Sequence, residues 1–135
     1  MTGPSAGLLD TSVFIALEGG RSLAELPDRV AVSVVTLGEL QLGVLHAGDD
    51  DTRVRRAETL AVARAADPIP INEAIMGAWA RLVADCDAAG IRNAVKLTDS
   101  LIAATAIEHG LAVVTQDSDY DRVAKAHPDL RVLNV

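Results

Sequence analysis

The sequence predicts an α/β fold in which a mostly parallel sheet carries helices on both faces. Two observations lead to it. Short β-branched, apolar runs alternate with longer stretches whose apolar residues recur at helical spacing. Half of the residues are hydrophobic, yet the only aromatics are Phe14, Trp79 and Tyr120. The core is therefore built from Ala, Val, Leu and Ile, as is common around a buried parallel sheet. A chain of 135 residues fits one compact domain spanning 1–135. At that size roughly two-thirds of the unfolded surface can be buried without disulfides.

The elements follow in order. Gly7–Asp10 reads as a short buried strand, and Thr11–Leu17 as a helix stopped by Gly19-Gly20. Val30–Val35 is β-branched and reads as a strand, followed by a helix over Thr36–Leu45. Ala47–Asp51 is polar and acidic and is expected to be an exposed loop. Val54, Ala57, Leu60 and Ala61 mark a further helix. Asp67–Ile71, with prolines at 68 and 70, reads as a strand at the sheet edge. Asn72 caps a long helix whose face carries Ile75, Trp79, Leu82, Val83 and Cys86, and Gly90 ends it. Thr98 opens a helix closed by Gly110. Leu111–Thr115 and Leu130–Asn134 complete the sheet.

The net charge of −7 argues against a surface that binds nucleic acid everywhere. It leaves room for a nuclease whose carboxylates bind a divalent ion, because the ion supplies local positive charge. The single cysteine, Cys86, has no disulfide partner and sits on an apolar helical face, which fits core packing in a reducing, cytoplasmic setting. The first residues lack a signal peptide's charge pattern, and no apolar run is long enough for a membrane span.

Carboxylates stand just past strand ends or in first helical turns at four places: Asp10, Glu39, Asp99, and the pair Asp117 and Asp119. Each has an ordinary structural explanation. Asp10 suits an N-cap, Thr36-Leu37-Gly38-Glu39 matches a capping box, Asp99 favours a helix dipole, and Asp117 and Asp119 suit a turn. Capping does not, however, require all of them on one rim, and a doubly wound sheet places strand ends and the helix starts after them on the same edge. Crowded carboxylates repel unless protons or a cation intervene, and Mg²⁺ or Mn²⁺ suits an all-oxygen donor set. His46, His109 and His127 form no cluster in sequence.

LLDTSVFIAL (8–17), VVTLGELQLGV (34–44), LTDSLIAATAIEHGLAVVTQDSDYDRV (97–123) and the terminal RVLNV resemble the PIN-domain family, in particular VapC-type toxins. The resemblance implies a Rossmann-like α/β/α sandwich and a Mg²⁺- or Mn²⁺-dependent endoribonuclease. By position it carries the first three site acids onto Asp10, Glu39 and Asp99. The fourth falls on Asp117 or Asp119, Asp117 being preferred, and Thr11, Ser12 and Thr115 resemble the hydroxyls that orient the acids. It implies Asp10 and Asp99 as metal ligands, with Asp117 contributing directly or through water, Asp119 as the alternative metal-site acid, and Glu39 orienting a water or helping to hold a second ion. It also implies RNA as substrate, a cognate VapB-type antitoxin that blocks the site, and a homodimer or an assembly with that antitoxin. Arg92 and Lys96 stand ready to lead phosphates in, or are ordinary solvated charges. The apolar helices Val13–Leu17 and Leu37–Val44 offer either a groove for a partner helix or core packing.

A phosphoacceptor receiver domain wants paired acids at the first strand and a Lys after a late strand, but Asp10 stands alone and no Lys follows Thr115 until Lys125. A haloacid-dehalogenase-type phosphatase wants D-x-D where Asp10-Thr11-Ser12 stands. The remaining alternative is a catalytically silent PIN-fold binding or scaffold module, which would be expected to lose acids that this chain retains.

Overall fold

The computed structural model describes residues 5–135. Four strands, β1 (Ala6–Leu9), β2 (Arg29–Ala31), β3 (Ala112–Thr115) and β4 (Val132–Asn134), form one sheet in the order β2-β1-β3-β4, every pair parallel. Six helices surround it: α1 (Thr11–Glu18), α2 (Val34–Leu45), α3 (Asp50–Arg64), α4 (Glu73–Ala88), α5 (Leu97–Glu108) and α6 (Asp119–Ala126). A 3₁₀ turn at Arg92–Ala94 leads into α5.

Strand alternation divides the core in two. Leu8 and Val113 point to one face and pack with Leu82, Cys86, Ile102, Ala106, Tyr120 and Val123 of α4, α5 and α6. Leu9 and Val114 point to the other face and pack with Val13, Phe14, Leu40, Leu60 and Ala63 of α1, α2 and α3. The result is the expected three-layer α/β/α sandwich. Among the described residues, no helix is long and apolar enough to cross a membrane.

Several boundaries differ from expectation, each for a local reason. The strand expected over Val30–Val35 ends at Ala31, because Ser33 turns the chain: its Oγ accepts from the Val35 N–H at 3.0 Å and caps α2 two residues earlier than predicted. The expected strand Asp67–Ile71 is a single bridge between Ser33 and Ile69. Ile69 N–H donates to Val32 O at 2.8 Å, but the flanking prolines have no N–H to extend the ladder, and Asp67 takes a left-handed φ of 54°. The loop expected over Ala47–Asp51 is shorter. Ala47 is buried, and Asp49 caps α3 by accepting from Thr52 N–H at 2.8 Å. Helix α6 lay in a stretch with no predicted element. It is eight residues long and buries only Tyr120 and Val123, too brief a pattern to register as a period.

Gly7 lies where β1 meets β3. A Cβ there would collide with Val114 Cγ2 and stand 3.2 Å from Pro27 Cγ. Gly7→Ala is therefore expected to destabilise the fold by about 1–3 kcal/mol, the usual cost of overpacking. Urea unfolding checks this, and a midpoint equal to wild type would show that the strands separate freely.

Candidate active site

Parallel strands end on a common rim, and here two connections leave that rim in opposite directions. From β1 the chain runs through α1 towards β2, and from β3 through α6 towards β4. The crevice between the ends of β1 and β3 is the switch point at which open α/β sheets bind ligands. Asp10 ends β1, Thr115 ends β3 with Asp117 two residues on, and α2 and α5 begin on the same rim.

Asp10 is 3% exposed. Burying an ionised carboxylate is costly unless donors surround it. Three hydroxyls do so: Ser12 Oγ donates to Oδ2 at 2.7 Å, Thr115 Oγ1 to Oδ2 at 3.0 Å, and Tyr120 OH to Oδ1 at 3.0 Å. Asp10 also caps α1 through a longer bond from Ser12 N–H at 3.4 Å. The cap and the site acid are thus one residue, and the two readings of Asp10 do not compete.

Glu39 does not close a capping box. Because α2 starts at Val34 with Ser33 as its cap, Glu39 lies in the second turn and reaches across to α1. Its Oε1 accepts from Thr11 Oγ1 at 2.6 Å, with the buried Thr36 hydroxyl 3.2 Å from the same Thr11 oxygen.

Asp99, in the first turn of α5, shows that the acids converge. Its pKa is pushed from 3.8 to about 6, first by burial and then by the charges of Asp10, Asp117 and Glu39, with Lys96 opposing them weakly. Asp117 is half-buried and also serves its turn, accepting from Asp119 N–H at 2.9 Å while its own N–H bonds Thr115 Oγ1 at 2.9 Å. Asp119 is exposed in the first turn of α6. It lines a narrow cleft with Asp99, Ser100 and Tyr120, but it is not among the charges that raise Asp99.

Tyr120 belongs to the site, although the sequence marks it only as one of three aromatics. Its hydroxyl lies 3.0 Å from Asp10 Oδ1 and 3.4 Å from Asp99 Oδ1, and burial beside those acids holds its pKa far above the usual tyrosine value. A buried tyrosine needs a partner for its O–H, which was the one available signal.

Apart from Lys96, whose charge reaches Asp99, the remaining candidates are not among the groups acting on this cluster. Arg92 is exposed and paired with Asp87 at 3.3 Å, and Lys96 is exposed just before α5. His46 and His109 end α2 and α5, and His127 pairs with Asp85 at 2.6 Å. Cys86 is core, as expected. The donors facing one another are therefore oxygen only, a set that fits a hard divalent cation. Among the described residues, no three acidic, His or Cys side chains already stand as a ligand set, and the Tyr120 hydroxyl lies between Asp10 and Asp99.

The chain is similar to several known proteins. The family model for the PIN domain matches residues 7–126. Ribonuclease VapC8 of Mycobacterium tuberculosis is 70% identical over 100 residues, 74% of this chain and 89% of that protein. Ribonuclease VapC4 of the same species is 47% identical over 133 residues, 95% of each chain. Among solved structures, VapBC-5 of M. tuberculosis, a member of the VapBC family of toxin–antitoxin systems, superposes with a TM-score of 0.88 at 40% identity, covering 98% of this chain and 100% of that one.

The raised pKa of Asp99 sets a sign. The folded state holds this proton more tightly than the unfolded state, so its ionisation costs stability as pH rises from about 4 to about 6, and the cost is constant above that window. In chelator at pH 7, Asp99→Asn is expected to melt about 3–6 °C above wild type, the gap shrinking below pH 6. Calorimetry across pH 4–8 measures it. An Asn variant no more stable than wild type at pH 7 would mean that neither burial nor the neighbouring charges penalise ionised Asp99.

Proposed function

The chain belongs to the PIN domain family, and from that membership and the convergence of its acids we propose that it is a divalent-metal-dependent endoribonuclease, the toxin of a VapBC-type toxin–antitoxin pair. The observation that carries the metal reading is the meeting of carboxylates from different elements: one Tyr120 hydroxyl lies 3.0 Å from Asp10 Oδ1 and 3.4 Å from Asp99 Oδ1, and burial together with the charges of Asp10, Asp117 and Glu39 raises the pKa of Asp99. Relatives at 70% and 47% identity are named ribonucleases, which supports RNA as the substrate class.

Asp10, Asp99 and Asp117 would hold Mg²⁺ or Mn²⁺, and Asp117 rather than Asp119 takes the fourth place because its charge acts on Asp99. When bound, such an ion lowers the pKa of water and offsets charge building on the phosphate. The protein's own part is orientation and proton transfer. Ser12 and Thr115 keep Asp10 Oδ2 engaged, leaving Oδ1 towards Asp99. Glu39, held by Thr11, is placed to take the proton of a water that adds to phosphorus while the bond to one ribose oxygen breaks. Lys96, exposed at the rim, offers an approaching backbone phosphate a first contact.

The structure neighbour VapBC-5 supports an antitoxin as partner. Of the two apolar segments, Val13, Phe14 and Leu40 are core, whereas Ile15, Leu17, Leu42 and Leu45 are at least half exposed on α1 and α2. An antitoxin helix covering those four residues removes a large apolar surface from water.

Purified protein is expected to cleave RNA with Mg²⁺ or Mn²⁺ and to stop in chelator. Asp10→Asn and Asp99→Asn should each lower the rate by at least about 100-fold, the scale of losing one preorganised electrostatic group, with circular dichroism unchanged. Full activity in either variant would remove the assignment. Failure of the wild type on every RNA with every divalent ion would favour the silent scaffold.

A further inference from the structure

Tyr120 is the only tyrosine in the chain and is 2% exposed. Its ring packs in the core layer that holds Leu8, Ile102, Val113 and Val123. For that packing a phenylalanine would serve equally well, so the hydroxyl needs its own account.

The oxygen stands between two carboxylates from different parts of the fold, 3.0 Å from Asp10 Oδ1 and 3.4 Å from Asp99 Oδ1. The other oxygen of Asp10 takes both Ser12 and Thr115. Tyr120 is thus the hydroxyl donor on the side of Asp10 that faces Asp99. A phenol carries one hydrogen and can donate to one acid at a time. The shorter contact assigns it to Asp10, and its oxygen then bounds how closely Asp99 approaches. Its Cα belongs to α6 and its ring is packed in the core, so the oxygen is held by packing and not by the acids alone.

We propose that Tyr120 is a positioning residue: its hydroxyl fixes the direction and separation of Oδ1 on Asp10 and Asp99, and thereby sets the affinity of the pocket for a divalent cation. The inference rests on the metal-dependent reading above. Removing the hydroxyl leaves both acids in place but free to rotate, so the cation must order them as it binds. Partners that orient ligating groups in this way typically contribute 10–100-fold to metal affinity.

The test is Tyr120→Phe in the full chain, with Mn²⁺ binding to metal-stripped protein followed by titration calorimetry alongside the melting temperature. We expect Mn²⁺ affinity to fall about tenfold or more. RNA cleavage at limiting Mn²⁺ should fall with it and recover at saturating Mn²⁺, with KM for RNA within about twofold of wild type. A purely structural tyrosine would lower the melting temperature and leave the Mn²⁺ dissociation constant unchanged, and that result overturns the proposal. Unchanged Mn²⁺ affinity in the variant, with normal binding by wild type, sinks only the role of Tyr120. Absence of Mn²⁺ binding by wild type removes the metal-dependent reading and this inference together. Should Tyr120→Phe fold poorly, Ser12→Ala, which frees the opposite oxygen of Asp10, provides the comparison. A loss of about tenfold or more in Ser12→Ala supports orientation of Asp10 as the source of the affinity, and Mn²⁺ affinity within about twofold of wild type overturns it.

Discussion

One buried carboxylate ties the centre of this fold together. Asp10 sits at the end of β1, a strand flanked on both sides, and its hydroxyl donors come from the first turn of α1, the end of β3 and the first turn of α6. Hydrogen bonds to a charged group are worth roughly 1.5–3 kcal/mol each, and leaving such a group without them costs more. The register permits this arrangement: Leu9 pairs with Val114, so Asp10 and Thr115 fall opposite one another at the same rim. A slip of one residue would turn Leu8 and Val113 away from their layer and carry Thr115 away from Asp10. Core pattern and site geometry therefore specify the same alignment, and neither can vary without the other.

Much of this was legible in the chain because parallel strands leave few choices. Once β1 and β3 are recognised from LLD and VVT, the acids after them must share an edge, and α5, which leads into β3, must start on it. The asymmetry of the site was harder to read. Glu39 looked like a first-turn cap because the strand before it looked six residues long, whereas Ser33 ends the extended chain early and moves Glu39 into the second turn, within reach of Thr11. Propensity favoured a strand through Val34 and Val35, and a single side-chain cap outweighed it. The edge at Ile69 was legible as an edge but not as a lone bridge, since a missing N–H stops the ladder without stopping the contact.

The choice between structural and functional readings of the acids rested on a contrast that the coordinates largely dissolve. Asp10 caps α1, Asp117 shapes the turn before α6, and Asp99 lies in the favourable first turn of α5, as each ordinary explanation held. The charges of Asp10 and Asp117 also act on Asp99. Local roles of this kind hold the backbone of each acid in position, so the side chain arrives at the rim without further ordering cost. Tyr120 shows the limit of such reading: its helix is too short to have a period, and its partners lie 21 and 110 residues away in sequence.

The fold by itself does not balance the charge it gathers. Helix N-termini at the rim, those of α1, α2 and α5, are each worth roughly 0.3–1 kcal/mol to a nearby anion. At Asp99 burial disfavours the ionised carboxyl first, and the charges of Asp10, Asp117 and Glu39 add to that cost. Lys96 is exposed to solvent and screened, so its contribution is small. The outcome is visible in Asp99, whose pKa rises to about 6 despite the dipoles and the lysine. The chain as a whole carries a net charge of −7, so acids outnumber bases beyond the site as well. Near neutral pH a bound cation of the proposed kind would offset this charge, and the same ion would make an acidic pocket attractive to a phosphodiester.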